Sequence, residues 1–279
     1  MDIKQSVIKL LILSVMGLFT ASYSFVASAQ VSCGDVITTA EVLTQDLSCD
    51  LTAADPDALT IVGPEGSLSM EGFSVTCATG AGFGGAGIRI QGQGAVLIGG
   101  TIDGCFDNIF IEGVGYHTVI GTELINSVDD GIDIDSIFNI INGCIITNSG
   151  RVGVDMDDDF NTFSSCIVTG SFSDGIQIDD SFSSVFNNIS TNNGGAGILI
   201  EGSSSNVISQ NITTDNGDGD TADGGIVLES TNSTNNIITG NISSGNDPFD
   251  LNDTVDPTCS GTNTWYANDA ITKNPSCLD

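Results

Sequence analysis

Basic side chains are nearly missing from this chain of 279 residues: 5 Lys and Arg stand against 36 Asp and Glu, a formal net charge of −31. Binding nucleic acid needs Lys and Arg to neutralise phosphates, and docking on anionic lipid needs them too. Neither nucleic acid nor a membrane is therefore expected as a partner. Histidine occurs once, at His117, and no C-x-x-C spacing exists, which removes the usual zinc frames. No apolar run beyond residue 29 is long enough for a transmembrane helix. A 3.6-residue helical period is absent, and the β-branched content opposes helix. The chain is still 40% hydrophobic, which excludes a disordered acidic tail.

What is present begins with a secretory signal. Lys4 and Lys9 precede an apolar stretch, Leu10 to Phe19, and Ala27-Ser28-Ala29 is a small-residue cleavage site, so residues 1–29 read as a signal peptide. Its removal takes away Asp2, Lys4 and Lys9 and moves the net charge to −32. Cys33, Cys49, Cys77, Cys105, Cys144, Cys166, Cys259 and Cys277 all lie beyond it. An even cysteine count after such a signal reads as disulfides in an oxidising, extracellular or periplasmic compartment.

A repeat decides the fold. Gly87-Ile88-Arg89-Ile90, Asn108-Ile109-Phe110-Ile111, Gly131-Ile132-Asp133-Ile134, Gly153-Val154-Asp155-Met156, Gly175-Ile176-Gln177-Ile178, Gly197-Ile198-Leu199-Ile200 and Gly225-Ile226-Val227-Leu228 share the form G-I-x-I. Pro248-Phe249-Asp250-Leu251 is a degenerate eighth copy, and the starts are 21, 23, 22, 22, 22, 28 and 23 residues apart. A fixed period near 22 signals a solenoid. Each copy alternates apolar and variable residues, the strand period, and two further short apolar stretches follow, as in Asn206-Val207-Ile208 and Asn211-Ile212-Thr213. Three short strands per turn predict an all-β, single-stranded parallel β-helix of about eight or nine coils. Phe138, Phe160 and Phe182 share one offset, and Ile141, Phe163, Val185 and Val207 share another. Equal offsets in stacked coils form ladders with a rise of roughly 4.8 Å.

The G-I-x-I strands, the N-x-I and N-I-T/S strands that follow them, and the stretch Leu68 to Thr76 resemble the right-handed parallel β-helix repeat family, the pectate-lyase-like superfamily, over roughly residues 59–265. The resemblance implies a right-handed helix. It leaves function open, because that family includes pectate lyases, polygalacturonases, alginate lyases and epimerases, tailspikes and adhesins, and a fold does not choose among them. The paired aspartates of polygalacturonases have counterparts here, but their R-x-K element does not, and the D-P-H-D motif of alginate epimerases is missing. Residues 30–58 are expected to cap the first coil, 59–251 to form the helix and 252–279 to close the other end, since an uncapped solenoid exposes a strand edge. Sequential pairing, Cys33–Cys49, Cys77–Cys105, Cys144–Cys166 and Cys259–Cys277, is expected among the many connectivities eight cysteines allow. Cys144 and Cys166 share an offset in adjacent coils, which suits a disulfide.

The middle residue of G-I-x-I points outward. That column reads Arg89, Phe110, Asp133, Asp155, Gln177, Leu199, Val227, Asp250; two residues on, a second reads Gln91, Glu112, Asp135, Asp157, Asp179, Glu201, Glu229, Asn252. Stacked carboxylates repel by roughly 1 kcal/mol per neighbour in water. They bind cations, hold protons, or splay into solvent. Ca²⁺ on Glu112, Asp135, Asp157, Asp179 and Glu201 is the expected cation site, because Ca²⁺ takes several oxygen ligands. The insertion Asp215 to Asp223 resembles a calcium loop without the EF-hand frame. No organic cofactor is implied.

The leading expectation is a secreted protein whose acidic, Ca²⁺-binding face binds extracellular polysaccharide or matrix, with Phe110, Gln177 and Leu199 contacting sugar. The alternatives are a structural surface protein or adhesin, and a polysaccharide hydrolase, lyase or epimerase using Asp133, Asp155, Asp135 and Asp157 as acids with Arg151 as carboxylate binder or base. Glycosylation sequons occur at Asn188, Asn211, Asn232, Asn241 and Asn252.

Overall fold

The computed structural model describes residues 30–52, 56–79, 84–220 and 223–279; the predicted signal peptide lies outside them. The chain winds as a right-handed parallel β-helix. Its strands fall into three parallel sheets of 11, 10 and 10 strands, each strand pairing with the one three further along the chain. That makes about ten turns rather than eight or nine. The difference lies at the ends. Val36–Ile37, Ala40–Val42 and Leu47–Asp50 add one strand to each sheet before residue 59, and Thr264–Tyr266, Asp269–Ala270 and Lys273–Asn274 do so after residue 252.

The repeat strand forms because its flanking apolar residues alternate inward. Ile88, Ile109, Ile132, Val154, Ile176, Ile198 and Ile226 stack coil upon coil, all fully buried. Each such side chain contributes about 1.5–3 kcal/mol on burial, and only through its neighbours above and below, so the array folds as a unit. The glycine that opens the repeat is required by close packing. A Cβ on Gly131 or Gly153 would stand 2.4 or 2.3 Å from the side chain of Ile146 or Val168 on the third sheet.

Two register expectations shift, the first by one residue and the second by two. Val185 pairs with Ile208, not Val207, because the coil after Ile200 carries one additional residue before its second strand. Ile208 is buried and Val207 is exposed. In the degenerate eighth copy, Leu251 pairs with Ile226 and Asn252 with Val227, so Asp250 does not join the first outward column and Asn252 does not join the second. Asp250 is buried and accepts backbone N–H bonds from Asn246, Ile271 and Thr272.

The bends between sheets are held by polar ladders. In one, the backbone N–H of each residue donates to the side chain one coil on: Asn188 to Asn211 at 3.0 Å, Asn211 to Asn241 at 2.8 Å, Asn241 to Asn268 at 3.0 Å. His117 belongs to a second ladder: its Nδ1 accepts from the N–H of Ala95 at 3.0 Å, and its own N–H donates to Asn139 Oδ1 at 2.9 Å. The one histidine is thus buried and structural, and burial lowers its pKa.

Three expected disulfides are present, Cys33–Cys49, Cys77–Cys105 and Cys259–Cys277. Cys144 and Cys166 are not joined; both are buried thiols. They occupy asparagine positions of the first ladder. The N–H of Cys144 donates to Cys166 Sγ at 3.2 Å, and that of Cys166 to Asn188 Oδ1 at 2.9 Å. Shared offset therefore reflects a hydrogen-bonding column, in which each thiol takes the place of an amide oxygen.

Candidate functional site

The first sheet turns its acids outward as a connected field. Strands Asp107–Glu112, Ile132–Asp135 and Val154–Met156 place Phe110, Asp133 and Asp155 in register, and Glu112 opposite Asp135. Gln177 and Leu199 continue the first column. Asp157 and Asp179 follow their strands, their N–H groups bonded to Ile134 O and Met156 O in the preceding coils. Gln177 Nε2 donates to Asp179 Oδ2 at 2.9 Å.

Two basic residues organise this field. Arg89 pairs with Asp57 at 2.6 Å and Glu112 at 3.2 Å, and its guanidinium lies over the Phe110 ring, 4.7 Å from the centroid. Arg151 reaches Asp129 at 3.1 Å, Asp155 Oδ2 at 2.8 Å and Asp130. Burial works against the charge on Arg151, but Asp130 and Asp155 outweigh it and raise its pKa. Asp155 Oδ1 is buried without any hydrogen-bond partner.

Burial, reinforced by Asp135, Asp107, Asp130 and Asp155, pushes the Asp133 pKa to about 8. Burial raises Asp130 to about 7 and Asp107 to about 6. Asp157 rises to about 6 through burial and then Asp155, Asp179 and Asp135. Asp135 and Asp179 are also raised, burial again leading. The field thus retains protons near neutral pH where no cation balances it.

Among the described residues, three groups bring carboxylate oxygens within 4.8 Å of one another: Asp133, Asp135 and Asp157; Asp155, Asp157 and Asp179; and Asp107, Asp129 and Asp130. Of the predicted ligands, Asp157 is grouped with Asp135 in the first and with Asp179 in the second, and no one group holds all three. Glu112 and Glu201 are not: Glu112 is taken by Arg89, and Glu201 faces Glu229 in the next coil. The acids of the 215–223 insertion form no such group either. The four predicted catalytic acids and Arg151 converge on the same field.

Leu199 corrects the expected sugar contacts. It is 8% exposed and packs with Ala196 and Val227 in an outer apolar cluster. Gly224, at the end of the insertion, lies against Val227 and accepts a backbone bond from Gly197 at 2.8 Å. Offset counting places Leu199 on the outer side of its strand but cannot reveal that Ala196 and Val227 bury it there. Asp107 and Asp129 escaped the sequence reading. A signal existed for Asp107: with Asp130 and Asp174 it precedes a repeat start, and each accepts the N–H of the next coil, Asp130 at 3.1 Å, Val152 at 3.0 Å and Ala196 at 2.6 Å.

The family model for the right-handed β-helix region matches residues 65–188 and 152–272. No curated protein matches the chain. Among solved structures, the Dettilon tailspike protein shares 18% identity at a TM-score of 0.58 over 75% of this chain, which spans 43% of the tailspike's length. An alginate lyase from Paenibacillus sp. str. FPU-7 shares 18% identity at a TM-score of 0.50, covering 89% of this chain and 91% of the lyase. The periplasmic alginate epimerase AlgG shares 12% at a TM-score of 0.50, covering 84% of this chain and 70% of the epimerase. At these identities the likeness is one of fold.

Proposed function

The chain belongs to the right-handed β-helix family, and on that premise we propose that its acidic first sheet holds Ca²⁺ and through it binds an extracellular polysaccharide. One observation carries the reading: Asp155 Oδ1 is buried and unpartnered beside Asp157 and Asp179. A buried polar atom without a partner costs about 1–3 kcal/mol, more when charged, and a cation removes that cost. The neighbouring donors are all carboxylate oxygens, with no thiol or imidazole among them, the set a hard divalent cation takes. Asp157 belongs to two of the three groups and is the residue on which binding depends most.

A polysaccharide is favoured as partner by two observations. The alginate lyase and alginate epimerase share this fold, and a bound cation would bridge the negative face to the carboxylates of a uronate chain, which otherwise repel it. The three disulfides support an oxidising compartment. Calorimetric titration with Ca²⁺ tests the reading. Wild type should give binding heat and a raised melting temperature, and Asp135→Asn/Asp157→Asn should lose both. Absence of heat and of any melting shift in wild type overturns it.

A second reading, catalysis on a polysaccharide, is favoured by Asp133. It retains a proton up to about pH 8 and stands opposite Asp155, which Arg151 holds. A protonated acid beside an anchored carboxylate is the pairing that hydrolysis of a glycosidic bond uses. New reducing ends or unsaturated products from a polysaccharide panel, lost in Asp133→Asn, would establish it.

A further inference from the structure

Beside the acidic field runs an exposed aromatic ladder. Tyr116, Phe138, Phe160 and Phe182 stack in consecutive coils with centroids 5.0, 4.8 and 5.0 Å apart and planes within 19° of parallel. They are 50%, 39%, 42% and 53% exposed. All four have left-handed backbone conformation, φ between 58° and 64°, which is disfavoured for L-residues other than Asn and Asp. The same column holds Gly94 in the coil before and Ser205 and Asn235 in the coils after, also at positive φ. Among the described residues, only the four middle coils place large aromatic residues in this conformation. They are the coils whose preceding strands lead into Glu112, Asp135, Asp157 and Asp179.

Local conformational preference and burial are thus both disfavoured at one place. Departures from local rules concentrate where function requires them, and a contiguous exposed apolar stripe marks a contact surface. The backbone N–H of each aromatic residue already bonds to the next coil, Phe138 to Asp159 O, Phe160 to Ser181 O and Phe182 to Ser204 O, so the column does not need the rings to hold the bend. Stacking covers the ring faces and leaves the edges to solvent. A ring edge is apolar and carries the positive end of the ring quadrupole. It suits the C–H-lined edge and ether oxygens of a sugar ring and disfavours a cation.

We propose that Tyr116, Phe138, Phe160 and Phe182 form a docking rail for an extended polysaccharide laid parallel to the helix axis across the four coils that carry the acidic field. The ladder repeats once per coil, about one strand spacing, so an extended chain laid along it meets an equivalent ring edge at every coil. The acids stand three or four residues upstream in the same coils, which places cation-bridged groups along one side of the chain and the ring edges along the other. The proposal rests on the polysaccharide reading above and adds the orientation of the chain and the residues that fix it.

The test is the double variant Phe138→Asn/Phe160→Asn. Asn accepts the left-handed conformation at little cost and already stands in this column at Asn235, so folding should be preserved, the relief of backbone strain offsetting part of the lost ring stacking. Binding of alginate and polygalacturonate in Ca²⁺ should weaken by about tenfold or more, while the Ca²⁺ heat stays at the wild-type value. Oligouronate affinity should rise with length and level off near the four-coil span. Undiminished binding by the double variant overturns the rail. A wild-type dimer that the substitutions convert to monomer also overturns it, by making the ladder a contact between copies of the chain. Failure of wild type to bind either polymer overturns the rail and the polysaccharide reading together. Polymer binding that survives in Asp135→Asn/Asp157→Asn and is lost in the aromatic variant supports the rail and overturns the cation bridge alone.

Discussion

Asp133 and Asp155 stand side by side on adjacent strands, yet Arg151 bonds only the second of them. The guanidinium lies at one edge of the first sheet and collects Asp129, Asp130 and Asp155. One positive charge thus serves three carboxylates, while Asp133 meets its neighbours' charge by holding a proton. This asymmetry gives the acidic face two chemically different halves from two identical residues.

Removing the shared charge should be costly. Arg151→Gln leaves Asp130 and Asp155, both buried, without their ion pair. Breaking a fully buried pair costs about 3–5 kcal/mol. Because the arginine side chain is 44% exposed, a loss of about 1–3 kcal/mol is expected in chelator. Ca²⁺ should restore part of it by supplying positive charge to the same carboxylates. Urea unfolding with chelator and with Ca²⁺ measures both; equal losses in the two conditions would separate Arg151 from the cation.

Stability without Ca²⁺ should fall as pH rises. Asp133 and Asp180 have pKa values near 8, and Asp130 near 7, each raised chiefly by burial. The folded state therefore binds protons more tightly than the unfolded chain, whose aspartates titrate near 3.9. The contribution of each group is complete below that value and is lost as pH passes through the folded-state pKa. Unfolding free energy in chelator should decline between about pH 4 and pH 8, by more than about 2 kcal/mol. Saturating Ca²⁺ should flatten the decline, because the cation replaces the protons. A profile rising through this window would contradict the assigned burial.

The repeat and the outward columns were legible because both follow from the 22-residue period. Counting from Gly131, Gly153 and Gly175 finds Asp133 opposite Asp155 without coordinates. The same counting fails where coil length changes: one residue before Val207 moves Ile208 into the core, and Leu251 enters two residues later than the pattern suggests. It also cannot see what crosses the sheet. Leu199 and Phe110 occupy equivalent offsets, yet one is buried with Ala196 and Val227 and the other lies under Arg89. The exposure of Phe138, Phe160 and Phe182 was equally hidden, because an offset fixes stacking but not the side of the wall.

Glycosylation offers a check of the ladders that needs no ligand. Of the five sequons, Asn188, Asn211, Asn241 and Asn252 are buried, and the first three donate and accept along one ladder. Only Asn232 is exposed. Secreted from a glycosylating host, the folded protein should carry glycan at Asn232 alone, as peptide mass spectrometry after enzymatic deglycosylation would show. Occupancy at Asn211 in folded material would be incompatible with its ladder position.

Cys144 and Cys166 supply the sharpest stability test, because their column has asparagine in the following coils. Cys166 Sγ accepts the N–H of Cys144 as a weak acceptor. In Cys166→Asn the amide oxygen should accept the same bond, as Asn211 does from Asn188, for a gain of about 0.5–1.5 kcal/mol. Thiol titration of the unfolded, unreduced wild type should return two thiols per chain, the pair outside the three disulfides. A titration returning none, together with destabilisation by Cys166→Asn, would mean that the pair is bonded and that the column is closed there by sulfur rather than by a hydrogen bond.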